Sequence, residues 1–440
     1  MRTMVMFFVI AARVTASPSG GSESADIHAY TIDTRTILHR ISPLVYGCSA
    51  ASAEQVRSLQ IPLNRWGGNT ASRYNWKLGN AWNAGSDWFF RNTAVEENAW
   101  QTFAARTIEQ NGTVLLTMPL IGWVARDTES YSFSVEKYGP QTQTDPGNPD
   151  AGNGVGTDGT FITGNDPRDA NTHAGPDFIK DWLKKAIARF PQAAAERRLI
   201  IALGNEPMLW NRTHRDVHPD PLSYDEYWMR FRTYALRSKQ VAPDIPIAAP
   251  DVWGWPAYFQ SAKDRVNQNS DDRMKHDGLP FLPWFLRKAR TYEENHGVRL
   301  LDILTVHFYP QADEVHSEKA DTETGKLRWE STRSLYSPDY TDPSWINETV
   351  QLIPRLKNWV HRYYPETGIG LTEYNWGGED DISGALALAN ILGIFGRHNL
   401  DLACYWTAPP LDSFAASVYA LYRNVDGKGT GFGSMIPTVK

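Results

Sequence analysis

Two glutamates, Glu206 in Gly204-Asn205-Glu206-Pro207 and Glu373 in Leu371-Thr372-Glu373-Tyr374-Asn375, each close a short apolar run. Leu199-Ile200-Ile201-Ala202-Leu203 precedes the first and Gly368-Ile369-Gly370-Leu371 the second, and such runs make parallel strands buried on both faces. Carboxylates at the C-terminal ends of two parallel strands share one face of a barrel, the face where barrels place their chemistry. Two carboxyl groups there suit glycoside hydrolysis, Glu206 as acid/base and Glu373 as nucleophile of a retaining, double-displacement reaction. Asn205, beside Glu206, adds a neutral hydrogen-bond partner for a sugar 2-hydroxyl. The plainer reading is that both glutamates cap the helices that follow, because carboxylates are favoured at helix N-termini.

For this reaction to run near neutral pH, Glu206 must stay protonated while Glu373 is ionised, so their surroundings must differ. Arg65, at the end of the second predicted strand, could hold Glu373 charged, and Tyr309, past the sixth, could donate its hydroxyl to the same carboxylate. A structural ion pair and a packed aromatic are the alternatives for these two. His307 could contact sugar or orient a glutamate, or be a satisfied core histidine. Trp66, Trp123, Trp376 and Trp406 all follow or close strands, where flat aromatic faces stack on sugar rings, though any one of them could be core. Gly67-Gly68-Asn69 after the second strand permits a sharp turn or a close backbone approach to a ligand, and Asn69 joins the expected substrate contacts.

The elements that must hold these residues alternate along the chain. Strands are expected at Pro43 to Gly47, Pro62 to Trp66, Thr113 to Met118, Leu199 to Leu203, Ile245 to Ala249, Leu301 to His307, Gly368 to Glu373 and Leu402 to Trp406. Helices are expected between them, among them Val95 to Gln110, Asp177 to Phe190, a capped helix from Ser223, and Trp345 to Tyr363. Eight strands alternating with helices predict an α/β fold, a (β/α)8 barrel, over residues 43–425. Polar excursions near 138–171 and 311–343 interrupt it, and loops of that length are functional or held by something. In the first, Asp145, Asp150, Asn153 and Asp158 could supply oxygen ligands to calcium, although their spacing matches no EF-hand, and a solvated loop is the other reading. Residues 1–25 read as a signal-like segment and linker, 26–42 as an N-terminal strand (Ile27 to Ile32), and 426–440 as a short C-terminal segment.

Composition narrows the partners. A net charge of -6 and a pI near 6.0 give no basic footprint, so nucleic acid is not expected. The apolar run Met4 to Ala12 is too short to span a bilayer, so no membrane anchor is expected; it suits a secreted protein. The chemistry requires no cofactor, and a monomer is expected. Cys48 and Cys404, the only cysteines, fall on the first and last predicted strands, neighbours on closure; free buried thiols are preferred to a disulfide.

The chain resembles glycoside hydrolase family 44. The resemblance rests on Arg65-Trp66-Gly67-Gly68-Asn69-Thr70-Ala71-Ser72-Arg73-Tyr74-Asn75-Trp76, Asn148-Pro149-Asp150-Ala151-Gly152-Asn153-Gly154, Asn205-Glu206-Pro207, His307-Phe308-Tyr309-Pro310, Thr372-Glu373-Tyr374-Asn375-Trp376 and Tyr422-Arg423-Asn424-Val425-Asp426-Gly427-Lys428-Gly429. It covers nearly everything from residue 26 onward. It implies a retaining endo-β-1,4-glucanase with Glu206 as acid/base and Glu373 as nucleophile, cleaving β-glucans such as carboxymethylcellulose, xyloglucan and lichenan. It also implies structural calcium and a β-sandwich, of which this chain would hold only part, leaving the N-terminal strand with an unpaired edge. A mannanase, an arabinofuranosidase and a non-catalytic polysaccharide-binding barrel are the rival readings.

Overall fold

The computed structural model describes residues 32–429, 431–433 and 435–439. Eight parallel strands close into a barrel: β1 (Gly47–Ser49), β2 (Leu63–Trp66), β3 (Thr113–Met118), β4 (Leu199–Leu203), β5 (Ile247–Val252), β6 (Ile303–Phe308), β7 (Gly368–Tyr374) and β8 (Leu402–Tyr405). Their order around the barrel is their order in the chain, and β8 closes on β1 through Tyr405 and Cys48. Both cysteines are buried free thiols.

Side chains alternate across these strands. Leu63, Leu115, Ile200, Ala202, Ala248, Leu402 and Cys404 pack together as a small apolar plug inside the barrel. Val114, Leu116, Ile201 and Leu203 belong instead to the larger core that the strands share with the helices. Arg65 lies two residues beyond Leu63 and therefore on the interior face, one layer above the plug. Two register shifts depart from the alternation, between Pro250 and Val252 on β5 and between Leu371 and Tyr374 on β7. Such bulges re-aim side chains, and each of these sits at a carboxylate, Asp251 and Glu373.

Several boundaries differ from the expectation. Pro43–Tyr46 is a 3-10 turn, begun by Ser42, whose hydroxyl accepts from the Leu44 amide, so the first strand starts only at Gly47. The fifth strand runs on to Val252, which puts Asp251 inside it. The 311–343 excursion contains a helix, Thr322–Ser331, capped by Asp321. No apolar stripe announces that helix; it is organised around the fully buried Arg328, which donates to the carbonyls of Val315, Ser317, Lys319 and Trp376. The helix predicted from Trp345 begins at Leu352.

Contacts divide the chain into residues 39–436 and a small unit of residues 1–38 with 437–440. The strand Ile32–Arg40 pairs with Met435–Val439 in a two-stranded sheet, which among the described residues leaves each of them one unpaired edge. The signal-like segment, and all but the last residue of the strand predicted over Ile27 to Ile32, lie outside the described residues.

Candidate active site

Past the end of β4 the chain passes through Gly204 at φ +83° and Glu206 at φ +44°. The first conformation suits glycine; the second is uncommon for glutamate and is held by a hydrogen bond from the Glu206 amide to the Asp251 carbonyl, 3.0 Å. This turn aims Glu206 across the barrel mouth at Glu373. An oxygen of Glu206, an oxygen of Glu373 and a ring nitrogen of His307 all lie within 4.8 Å of one another. His307, fully buried on β6, places Nδ1 at 2.9 Å from Glu206 Oε1 and 3.3 Å from Glu373 Oε2.

The two carboxyl groups have different surroundings. Glu373 accepts from Arg65 Nη1 at 2.7 Å on one oxygen and from the Tyr309 hydroxyl at 2.9 Å on the other. Arg65 is fully buried and also donates to Asn205 Oδ1 (2.8 Å) and Asp251 Oδ2 (3.2 Å). Burial works to lower its pKa, and the charges of Glu373 and Asp251 overcome that and raise it. Glu206 has no guanidinium bond. Desolvation pushes its carboxyl up to about 7, Arg65 pulling the other way and Asp87 and Asp251 adding to the rise. Burial lowers the His307 pKa against the pull of Glu373, so the ring is neutral and Nδ1–H serves the two glutamates. Burial first, then the charge of Glu373, raises the Tyr309 phenol, which keeps its proton and donates. Acid and base functions are thus separated by environment on identical side chains.

The glycine pair after β2 serves the site in a way spacing alone did not disclose. A Cβ on Gly67 would stand 2.3 Å from the Arg65 guanidinium carbon, and one on Gly68 would meet the edge of Trp406 at 2.6 Å. The backbone yields here to the site's own side chains. Trp406 is half-buried, with the Arg65 guanidinium 5.9 Å from its ring centre, and Asn69 is half-buried beside Asn205.

The four tryptophans do not share one role. Trp123 is half-buried and packs edge-on against His173. Trp66 is 9% exposed, inside a cluster of Tyr74, Trp82 and Phe103, and Trp376 is 2% exposed with its N–H on Ser331. Both are core residues, which corrects the stacking expectation for them. For Trp66 the reason is the strand period: Arg65 points into the mouth, so Trp66 must point into the helix layer. Sequence reading missed Asp251, Asp87 at the mouth, and Trp345. Trp345 is 58% exposed, holds its N–H on Gln311 Oε1 (3.1 Å), and lines a cleft with Trp253, Trp255 and Tyr309. Trp345 is the exposed member of this group, and the misplaced helix start hid its signal.

The four residues expected to ligate calcium all have protein partners. Asp145 accepts from Arg91, Trp88 Nε1 and the Gly147 amide, and Asp150 from the Tyr131 and Ser134 hydroxyls and the Glu136 amide. Asn153 bonds Thr142 and Asp158 bonds Thr160. Each finds its partners among nearby protein donors, and the four do not converge on a common point. Among the described residues the group of three His, Cys, Asp or Glu side chains that does converge is Glu206, His307 and Glu373. Both oxygens of Glu373 already face protein donors, an arrangement for moving protons rather than for holding a cation.

A model of glycoside hydrolase family 44 matches residues 81–312. Endoglucanase A of Paenibacillus lautus is 29% identical over 448 residues; the alignment covers 95% of this chain and 60% of that protein, so the chain spans about three fifths of its length. Among solved structures, CelM2, a bifunctional glucanase-xylanase from a metagenome library, superposes with a TM-score of 0.89 at 40% identity, covering 93% of this chain and 82% of its own. A Paenibacillus polymyxa xyloglucanase of the same family superposes with a TM-score of 0.76 at 27% identity, with 93% and 82% covered.

Proposed function

The chain belongs to glycoside hydrolase family 44, and on that premise we propose that it cleaves internal β-1,4 bonds of glucan polysaccharides with retention of configuration. The observation that carries the reading is the short separation of Glu206 and Glu373, whose oxygens approach within 4.8 Å. Retaining enzymes hold their carboxyl groups about 5–5.5 Å apart, whereas inverting enzymes leave about 6.5–9.5 Å for a water between them.

In this mechanism Glu206, protonated near neutral pH, gives its proton to the departing glycosidic oxygen while Glu373 attacks the anomeric carbon from the opposite face. As the bond to sugar forms, the negative charge on Glu373 declines, and Arg65 and Tyr309 hold its oxygens in line through both steps. Glu206, now a carboxylate, takes a proton from the water that releases the sugar. The His307 N–H spans both groups and fixes their spacing.

The substrate class rests on relatives named endoglucanase, glucanase-xylanase and xyloglucanase, and on the exposed Trp345 near Tyr309, an aromatic face on which a sugar ring can stack. No helix among the described residues is long and apolar enough to cross a membrane. A secreted enzyme is the reading that the signal-like N-terminus supports.

Reducing-sugar release and viscosity, followed together on carboxymethylcellulose, xyloglucan and mannan, test the proposal. Viscosity should collapse before much reducing sugar appears, and the first anomer seen by NMR should be β. Slow viscosity loss on every glucan, or an α-anomer released first, would overturn it.

A further inference from the structure

Asp87 is exposed at the barrel mouth and belongs to no strand. It sits on a 3-10 turn, Gly85–Trp88, at the tip of the hairpin formed by Ala81–Asn83 and Asn92–Ala94. Its two oxygens accept from Asn69 Nδ2 at 3.0 and 3.3 Å. The Asn69 carbonyl accepts from Asn205 Nδ2 at 3.3 Å, and the Asn205 carbonyl accepts from Arg65 Nη2 at 2.8 Å. A chain of four side chains therefore runs from the surface to the guanidinium that holds Glu373.

The ends of this chain dictate its sense. A carboxylate only accepts and a guanidinium only donates, so both amides between them must point their N–H₂ groups toward Asp87 and their carbonyls toward Arg65. Asn205 then offers its amide donors on the Asn69 side, where its second N–H is free for a sugar hydroxyl. Arg65 fixes the sense of Asn205, and Asp87 fixes that of Asn69, whose carbonyl then holds one Asn205 N–H in place.

The turn that carries Asp87 is costly to build and firmly held. Phe89 and Phe90, both bulky, have φ of +49°, a region that bulky residues rarely adopt. Their backbone is fixed by Asn83, which donates to the Phe90 carbonyl (2.9 Å), and by Phe90, buried against Phe133 with Arg215 4.4 Å above its ring. Trp88 Nε1 and Arg91 both bind Asp145, so the 138–171 excursion holds the hairpin tip from the far side.

We propose that Asp87 is a positioning residue for the glycosidase reaction: through Asn69 it holds the Asn205 amide in place for the sugar, and its negative charge at the mouth acts on the acid Glu206. The inference rests on the assignment of Glu206 as acid/base. The groups that face Glu206 are Glu373, His307, Tyr309, Arg65, Asp251 and Asp87, and of these Asp87 alone stands at the surface. Repulsion from Asp87 is one of the causes that lift the Glu206 carboxyl, so its removal favours the ionised acid.

Two variants separate the two effects. Asp87→Asn keeps an acceptor for Asn69 but loses the charge: the alkaline limb of the kcat/KM profile on an alkyl β-cellobioside, whose poor leaving group needs the acid, should move to lower pH by about half a pH unit. Asn69→Ala keeps the charge but cuts the chain: kcat/KM should fall about tenfold or more at every pH, with the limb unmoved, because an unoriented amide loses one hydrogen bond in the transition state. Neither substitution enters the core, and melting temperatures report whether the hairpin survives. An alkaline limb that stays in place in Asp87→Asn, or kcat/KM within twofold of the parent in Asn69→Ala, would overturn the inference. Failure of the parent enzyme itself to act on the cellobioside and on β-glucans would instead strike at the proposed function.

Discussion

The barrel mouth and the 138–171 excursion are both rich in acids, and both looked from sequence like places where acids act together. In the mouth they do. Arg65 and Glu373 stand 308 positions apart and meet at 2.7 Å, and Glu206, Asp251 and His307 come to them from three further strand ends. In the excursion the acids are held one at a time by their own donors: Asp150 by Ser134 and Tyr131, Asp158 by Thr160, Asp166 by Arg168. The difference lies in the backbone beneath. Parallel strands fixed by ladders on both sides cannot relax to separate like charges, so a buried arginine and a raised glutamate pKa carry the cost of convergence. A loop is free to turn each carboxylate to the nearest N–H or O–H.

The excursion is anchored by one buried pair. Arg73 and Asp216, both fully buried, bond at 2.9 and 3.0 Å, and Asp216 also accepts from Ser132 (2.7 Å) and Asn171 (3.3 Å). The two regions therefore differ in what breaking them should do.

The largest effect belongs to the mouth. Glu373→Gln removes the nucleophile and should lower kcat on every glucan by about 10⁴-fold or more with the fold intact; residual activity above about 1% of the parent would remove Glu373 from that role. Glu206→Ala should cost about 10²–10⁴-fold on polysaccharide and much less on an aryl glycoside, whose leaving group needs little protonation. Azide, which needs no base, should restore turnover of the aryl glycoside by that variant and give the β-glycosyl azide. An α-azide from this variant would exchange the roles of the two glutamates.

The excursion should answer in stability instead. Asp216→Ala strands a buried guanidinium and should cost about 3–5 kcal/mol, read from urea unfolding, while Arg73→Met with Asp216→Leu should recover a good part of it. A loss under 1 kcal/mol in the single variant would mean that the excursion is held elsewhere. The smallest effect is expected at Asp158, which is exposed and bonds only its neighbour: Asp158→Ala should move the melting temperature by no more than about 1 °C. A larger fall, relieved by added calcium, would restore the metal reading of the loop.

Sequence carried the barrel because its strands are buried on both faces and so announce themselves as apolar runs whatever their partners; six of the eight were placed to within about two residues by that rule. It carried Glu206, Glu373, Arg65, Tyr309 and His307 for a related reason. A polar residue that closes an apolar strand has nowhere to go but the barrel mouth. What periodicity could not reach was decided in three dimensions. Leu371 and Glu373 are two apart and by alternation share a face, yet Leu371 packs outward into the core while the bulge in β7 turns Glu373 inward. A second bulge does the same for Asp251 on β5. The helix at 322–331 is built around a buried arginine and has no stripe to read, and the tryptophans sort into core and cleft by which face of a strand or which side of a loop they fall on. Local pattern dictates which segments become strands, because burial on both faces is a property of a segment; which carboxylates meet, and in what protonation state, depends on neighbours hundreds of residues away and on the water they exclude.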